Sequence, residues 1–333
     1  MTLFTAHSPG EIAVSLLPVF VFLTALIFLD TFKLIPLRFV LISILSGMLA
    51  AACARLVSLI PAENYRLLAP LVEETLKSLY LIYLIWRKRI GFMVDGAIHG
   101  FAIGAGFSLI ENLVYLEALP SQNILLWVIR GFGTAMMHGG CTAIFGIISQ
   151  QLSSRTKTVR FSAFVPGLIL VIILHSTYNL FILPPVYSTV VLMIAIPLLI
   201  MLIFQKSEKS TRAWLGAGFD MDVDLLSMIL SGNLPDTNLG NYFRSLQDHF
   251  PGEIIADMLC LLRIHLELSI RAKGILLMKE QGFSVEPSVD IRENFTEMNY
   301  LQKMIGRTGY LAIAPLLHRS GRDLWQIHML NNQ

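Results

Sequence analysis

A charged heptapeptide lies inside the third apolar run of the chain and reads Leu71-Val72-Glu73-Glu74-Thr75-Leu76-Lys77. The run extends from about 67 to 86, and roughly 20 apolar residues are enough for a helix to cross a bilayer. Charges there are costly, at about 2.5–3.5 kcal/mol for each ionised group at the centre of a span. On a helix, Lys77 follows Glu74 by three residues and Glu73 by four, so it can neutralise part of this charge. The two glutamates point about 100° apart, which predicts different roles. A helix end that water reaches is the alternative interpretation.

The composition places the chain among membrane proteins, because 55% of its 333 residues are hydrophobic and only 14% are charged. Residues 1–204 hold 12 of the 25 Lys and Arg and 8 of the 23 Asp and Glu, so residues 205–333 are an ordinary polar segment. The net charge of +2 gives no indication of nucleic acid binding, and we expect no nucleic acid partner. Cys53, Cys141 and Cys260 are far apart and predict no disulfide framework.

Seven apolar runs are long enough to cross a bilayer, at about 12–29, 37–60, 67–86, 91–116, 123–150, 161–183 and 186–204. Lys and Arg cluster in the connections after the first, third, fifth and seventh runs. The other connections carry almost no basic residue, with Arg66 as the exception. This pattern predicts an all-α polytopic bundle in the cell membrane, with the N-terminus outside and the C-terminus in the cytoplasm. The first run lacks a preceding basic residue and a cleavage site, so we expect a retained span and no signal peptide.

The polar C-terminal segment is predicted to be a small all-α cytoplasmic domain over 213–333, joined to the bundle by a basic linker at 205–212. Its longest helix is predicted at about 253–281, where apolar residues recur every three or four positions. Weaker helical patterns cover about 220–230, 288–305 and 309–327. We expect no active site in this domain.

Polar residues recur in the fourth, fifth and sixth runs at helical spacing. The fourth run carries a stripe of Gly96, Gly100 and Gly104, which favours close helix packing. His99, near its inner end, is predicted to be structural. Other polar positions of these runs include Glu111, Asn112, Arg130, Thr134, His138, Thr142, His175 and Asn179. With the predicted topology, most lie between the membrane centre and the outer surface, at the depth of the two glutamates of the third run. We therefore expect the acidic and imidazole groups to meet in one site.

Such a site has the parts for amide hydrolysis. A carboxylate beside a cation such as Lys77 or Arg130 stays ionised and can act as the general base for water. His175 and Asn179 are four apart and can donate to the oxyanion. His138 can orient the water or protonate the leaving amine. A metal site is an alternative, since Glu and His also bind zinc or other cations.

Other protease classes lack their usual residues in this sequence. It has no His-Glu-x-x-His zinc motif and no Gly-x-Ser-x-Gly nucleophile motif. Asp30 and Asp95 are the aspartates near the spans, and neither belongs to a Gly-x-Gly-Asp sequence. Serine and aspartyl mechanisms therefore have little support.

Four motifs in this order resemble the PrsW family of intramembrane proteases, which is similar to the wider group of type II CAAX prenyl endopeptidases and Abi proteins. The motifs are Glu73-Glu74-x-x-Lys77, Phe107-x-x-x-Glu111-Asn112, an isolated His138, and His175-x-x-x-Asn179. The resemblance covers about 67–183 and implies a glutamate-type peptidase. We expect no cofactor, and metal dependence stays open. Family members are associated with site-1 cleavage of membrane-anchored anti-sigma factors.

The resemblance also implies roles for individual residues. Glu73 and Glu74 would supply the base and its neighbour, and Asn179 would complete the last motif. His138 and His175 would supply the histidines. CAAX enzymes have a His where this chain has Glu111, which argues against a prenylated substrate.

The sequence thus predicts a multi-pass endopeptidase that cuts a single-span membrane protein within the lipid bilayer. A proton- or cation-coupled transporter is one alternative, because Glu and His chains also form relays. The absence of an internal repeat and of a Pro- or Gly-broken helix pair argues against it. A membrane scaffold, whose C-terminal domain recruits a cytoplasmic partner, is the other alternative.

Overall fold

The computed structural model describes residues 8–29, 35–58, 65–118, 124–154, 159–180, 182–234, 236–283, 289–317 and 321–331. These residues form α-helices and one 3-10 turn, and they include no strand, which confirms the predicted all-α bundle. The chain divides into two compact units, Met1–Glu208 and Lys209–Gln333.

Seven helices account for the first unit and for the start of the second. They are α1 (Pro9–Leu29), α2 (Leu37–Ser58), α3 (Tyr65–Trp86), α4 (Met93–Ala118), α5 (Ile124–Ser154), α6 (Val165–Asn179) and α7 (Pro185–Leu230). Each begins or ends within a few residues of a predicted apolar run, except that α7 continues well beyond its run. Residues 205–212, predicted to be a linker, are helical because no Gly or Pro interrupts the chain between Pro197 and Gly216.

Five helices of the described chain are long and apolar enough to cross a membrane: Leu37–Ser58, Met93–Ala118, Ile124–Ser154, Phe161–Asn179 and Pro185–Leu230. The apolar part of α1, Pro9–Ala25, is shorter. Helix α3 has the required length, but every 18-residue stretch of it contains Glu73, Glu74 and Lys77. The total of seven spans therefore remains a prediction for α1 and α3.

Helix α4 lies at the centre of the first unit, and most of its residues are buried between α2 and α5. Its glycine stripe packs closely on a neighbouring helix, as predicted, and that helix is α5. A methyl group on Gly96 would lie 2.8 Å from the carbonyl oxygen of Gly146, and one on Gly104 would overlap the carbonyl of His138. The two backbones therefore touch where the histidine of α5 is placed, which only glycine permits.

The opposite side of α4 packs against α2 with similar closeness. Gly106 of α4 leaves no room for a side chain beside the Ile44 carbonyl. The Nδ1 atom of His99 lies 2.8 Å from the hydroxyl of Ser43, so His99 joins the two helices.

The start of α4 is fixed by Asp95, whose carboxylate accepts the backbone N–H groups of Gly91 and Phe92 at 2.9 and 3.0 Å. This is the reciprocal half of a helix cap, and it gives Asp95 a structural role. Asp30 lies outside the described residues.

The second unit also contains α8 (Asn238–Leu246), α9 (Gly252–Glu280), α10 (Val289–Leu317) and α11 (Gly321–Asn331). Helix α9 confirms the predicted 253–281 helix, and α10 and α11 pack on it. Helix α8 was not predicted; it is short and begins at Thr237, whose hydroxyl accepts the Gly240 N–H at 3.1 Å. Gly306 adopts φ 65° and interrupts α10 at the end of the predicted 288–305 helix. The predicted 309–327 helix falls across the end of α10 and the start of α11, and residues 318–320 lie outside the described residues.

Candidate active site

Four helices of the first unit bring six polar side chains together. We call them the membrane cluster: Glu73, Glu74 and Lys77 of α3, Glu111 of α4, His138 of α5 and His175 of α6. All six were predicted site residues. The four helices together cover about 110 residues of sequence. The six side chains therefore come close to one another only when the helices pack in the folded bundle.

Lys77 is the buried centre of the membrane cluster. Its ammonium group donates to Oε1 of Glu74 at 2.5 Å and lies 2.9 Å from Nδ1 of His138. It also lies 4.8 Å from the centroid of the Phe107 ring. A lysine ammonium only donates, so Nδ1 of His138 accepts.

His138 joins Lys77 to Glu111. Its Nε2 atom lies 2.5 Å from Oε2 of Glu111. Because Nδ1 accepts from Lys77, the ring proton is assigned to Nε2, where it donates to the Glu111 carboxylate.

His175 completes the cluster on the other side. Its Nδ1 atom lies 2.7 Å from Oε1 of Glu74 and its Nε2 atom 3.7 Å from Oε2 of Glu73. The imidazole packs edge-on against that of His138, with ring centroids 5.0 Å apart. Glu74 thus accepts from both Lys77 and His175, whereas the Glu73 carboxylate makes no hydrogen bond to a described residue.

Exposure separates the centre of the membrane cluster from its two ends. The side chains of Glu74, Lys77, His138 and His175 are at most 2% exposed. Glu73 is 18% exposed and Glu111 27%. A molecule from outside would therefore meet the two outer glutamates first, while the buried groups hold them in position.

Two further predicted residues lie apart from this network. Asn179 is the last residue of α6 and is exposed, and no hydrogen bond joins it to the cluster among the described residues. Arg130 is half-buried on α5, and its guanidinium carbon lies 3.3 Å from the centroid of the Tyr115 ring. Their predicted roles as oxyanion donor and counter-ion stay predictions.

Tyr115, which stacks on Arg130, was not among the residues predicted to lie near the site. It follows Glu111 by four residues on α4, so the two lie on one helix face. That spacing was the available signal. Asn112, which belongs to the second motif, instead donates to the backbone carbonyl of Ser15 on α1 at 2.8 Å and is buried.

Glu73, His138 and His175 form a candidate set of metal ligands. One ligand atom from each lies within 4.8 Å of the others. Two imidazoles and one carboxylate match a common catalytic zinc set, and the bond from Glu74 to His175 is the type that orients a metal-binding histidine. The donors therefore fit a cation, provided that His138 exchanges its bond to Lys77 or Glu111 for it.

The helices that carry the membrane cluster lie in the part of the chain that is similar to known proteins. A family model described as PrsW family intramembrane metalloprotease matches residues 35–204, which contain every residue of the membrane cluster. A curated relative, Protease PrsW of Clostridioides difficile (strain 630), is 30% identical over 139 residues, or 40% of this chain. The match spans 57% of the relative's own length. No solved structure gives a significant match. The family match covers half of the chain, and the chain therefore belongs to the PrsW family of intramembrane metalloproteases.

Proposed function

We propose that this protein is an intramembrane endopeptidase that hydrolyses a peptide bond of a single-span membrane protein, with Glu73 as the general base that activates water. The observation that carries the proposal is the difference between the three glutamates of the membrane cluster. Glu74 and Glu111 are each bonded to a histidine, and Glu74 is bonded to Lys77 as well. Glu73 alone among them is both partly exposed and without a hydrogen bond to a described residue.

A general base must have a lone pair available to the water that it deprotonates. Oε1 of Glu74 already accepts from Lys77 and His175, so its lone pairs are engaged. The Glu73 carboxylate lies 3.7 Å from Nε2 of His175. A water that donates one hydrogen to each of these two atoms would be held with its oxygen lone pairs directed to the open side. Glu73 would take the proton from this water as the oxygen attacks the scissile carbonyl.

The other members of the cluster then have supporting roles. Glu74 fixes the ring of His175, because Nδ1 donates to it and Nε2 is left facing Glu73. Lys77 offsets the charge of Glu74 inside the bundle. His138 and Glu111 lie on the far side of the same centre, where the histidine can pass a proton to the leaving amine. Asn179, one turn after His175, is proposed as an oxyanion donor that would engage when substrate is present.

A metal-assisted version is the second candidate mechanism, and the family name and the donor set of Glu73, His138 and His175 favour it. A cation held by these three residues would polarise the scissile carbonyl as a Lewis acid. In both versions Glu74 orients His175, and Lys77 neutralises Glu74. The versions differ at His138, which would exchange its bond to Lys77 or Glu111 for the cation in the metal-assisted version.

We further propose an outside N-terminus, a cytoplasmic Lys209–Gln333 unit and cleavage near the outer surface. The alternating basic connections support this orientation. The substrate class proposed is a membrane-anchored regulator such as an anti-sigma factor. The resemblance to the family supports this substrate, and the partial exposure of Glu73 and Glu111 makes the membrane cluster accessible from outside the bundle.

The experiment is a proteomic comparison of membranes that contain the wild-type protein or Glu73→Gln. The expected result is a single-span protein trimmed with the wild type and intact with the variant. Glu117→Gln is the matched control, because Glu117 is an exposed glutamate near the end of α4 that belongs to no described site. Trimming that persists with folded Glu73→Gln protein would overturn the assignment of the base.

A further inference from the structure

Arg130 is a cation within the α5 span, and the carboxylate with which it interacts electrostatically, that of Glu111, is already bonded to His138. Its guanidinium stacks on the Tyr115 ring at 3.3 Å. Its Nε atom is buried without a hydrogen-bond partner, and no ion pair of Arg130 occurs among the described residues. A guanidinium has five N–H donors in a planar fork, and a buried donor without a partner requires an explanation.

Arg130 lies on the same pair of helices, α4 and α5, as Glu111 and His138 of the membrane cluster. Helices α4 and α5 lie side by side, and Glu111 of α4 bonds His138 of α5. Four residues further along α4, Tyr115 contacts Arg130, which lies two turns before His138 on α5. The Arg130–Tyr115 pair is therefore the next layer of the same helix pair, toward the end of α5 at Ile124.

Arg130 and His138 lie on the same side of α5, two turns apart. Thr134 lies one turn from each of them and is 6% exposed. The guanidinium is therefore placed along the side of α5 that carries the site and away from the side that would meet lipid. Stacking on Tyr115 fixes the plane of the fork, which prepares it for a two-point bond to a carboxylate.

The distance from Arg130 to the reacting groups sets a register for a bound peptide. Eight residues of helix correspond to about 12 Å along α5. An extended peptide advances about 3.3 Å per residue, so three or four residues cover the same distance.

We propose that Arg130 is a specificity-determining residue that binds the carboxylate of an Asp or Glu in the substrate, three or four residues from the scissile bond on the side that leaves the membrane near Ile124. This inference rests on the proposed peptidase function. The phosphate of a lipid headgroup is the competing anion, and the test separates the two.

The test uses a library of single-span reporters, each with Asp, Ala or Lys at one of the six positions on either side of a juxtamembrane cut site. The reporters are expressed with the full-length protein in native membranes, and the cleaved products are sequenced. Wild type is expected to favour Asp over Ala by about tenfold at one position three or four residues from the cut, as one charge-assisted hydrogen bond predicts. Arg130→Gln should remove this preference, and Arg130→Glu should shift it to Lys.

Arg38→Gln is the matched control, because Arg38 is exposed at the start of α2 and also stacks on a ring, that of Phe39 at 5.0 Å. It should leave the Asp preference unchanged. An identical preference in wild type and Arg130→Glu would overturn the inference. The inference would also be overturned if wild type preferred Asp at no position of the reporters while cleavage still depended on Glu73. In that case the proposed peptidase function would hold without the proposed role of Arg130.

Two further outcomes complete the test. If Arg130→Gln reduces cleavage of every reporter equally, and only in membranes rich in phosphatidylglycerol, the anion is a lipid phosphate and the peptide inference is wrong. If no reporter is cut in a Glu73-dependent manner, the proposed function fails and this inference fails with it. Thermal unfolding of Arg130→Gln and Arg130→Glu verifies that the loss of preference occurs in folded protein.

Discussion

Each unit of this protein contains a buried lysine paired with a carboxylate at 2.5 Å. In the first unit the pair is Lys77 with Glu74, in the membrane cluster. In the second it is Lys273 with Asp222, in what we call the C-terminal cluster: Asp222, Ser269, Lys273 and Gln326. The local chemistry is the same, but the surroundings differ.

The C-terminal cluster closes on itself. Lys273 donates to Asp222, to the Ser269 hydroxyl at 3.0 Å and to the Gly218 carbonyl at 3.3 Å. Ser269 donates to Asp222 and accepts from Gln326 at 2.7 Å. These bonds link α7, α9 and α11, and the carboxylate of the cluster, that of Asp222, accepts two of them. We interpret this cluster as a structural connection between helices.

The membrane cluster ends in an open carboxylate. Lys77, His138 and His175 are as buried as Lys273, yet the network stops at Glu73, which is partly exposed and not hydrogen-bonded to a described residue. A buried ion pair therefore does not by itself identify an active site. The distinguishing feature is an acid that the network positions but does not bond.

The largest expected effect comes from removing the lysine of each cluster. Lys77→Met and Lys273→Met should each destabilise the protein by about 3–5 kcal/mol, because a buried carboxylate loses its partner. Only Lys77→Met should also abolish cleavage per folded molecule. Hydrogen exchange should locate the loss of protection in Met1–Glu208 for the first variant and in Lys209–Gln333 for the second. Normal cleavage by folded Lys77→Met would contradict the difference between the clusters.

Glu74→Gln tests whether Glu74 acts by orienting His175. The amide keeps the size of the side chain but loses the charge that holds both Lys77 and His175. We expect cleavage to fall about 10–100-fold, as for other residues that orient a catalytic histidine. Asp222→Asn makes the same change in the C-terminal cluster and should leave cleavage unchanged. Steady-state cleavage of a reporter in membranes measures both.

Gly104→Ala tests the packing that places His138. The added methyl would overlap the His138 carbonyl, and we expect a loss of about 1–3 kcal/mol in the free energy of unfolding, together with reduced cleavage. Gly216→Ala is the control, since a methyl there meets nothing within 4 Å, and it should be neutral or stabilising by up to about 1 kcal/mol. Thermal unfolding in detergent micelles compares the two. Equal stability of both variants would show that the close approach of α4 to α5 is dispensable.

The smallest effect is expected from metal removal. With Glu73 as the base, incubation with a chelator such as 1,10-phenanthroline should leave the cleavage rate unchanged. Elemental analysis of the purified protein is the parallel measurement. Inhibition that Zn²⁺ reverses would instead support Glu73, His138 and His175 as metal ligands.

The sequence predicted the helices and the members of the cluster more readily than their partners. Helical spacing indicated that Lys77 neutralises a glutamate of its own helix, but it could not choose between Glu73 and Glu74. Lys77 bonds Glu74, which is also held by His175 from about 100 residues away in the sequence. The bond between Glu111 and His138 and the contact of Arg130 with Tyr115 also join different helices, so their register cannot be read from one segment.

Other differences have local causes. Helix α7 continues through 205–212 because polar residues with good helix propensity do not stop a helix. Helix α10 is interrupted at Gly306, where a positive φ breaks the helix. Helix α8 escaped prediction because nine residues are too few for a clear periodic pattern. Asn179 is exposed because α6 ends there, which sequence spacing from His175 does not reveal.

The most direct test of the central claim is the cleavage rate of Glu73→Gln against wild type in membranes, with the trimmed single-span protein as substrate and with thermal unfolding measured in parallel. We expect a rate lower by about 10²–10⁴-fold, the usual contribution of a general base, with unchanged stability because the Glu73 carboxylate has no described hydrogen bond to lose. A wild-type rate from folded Glu73→Gln protein would contradict this expectation.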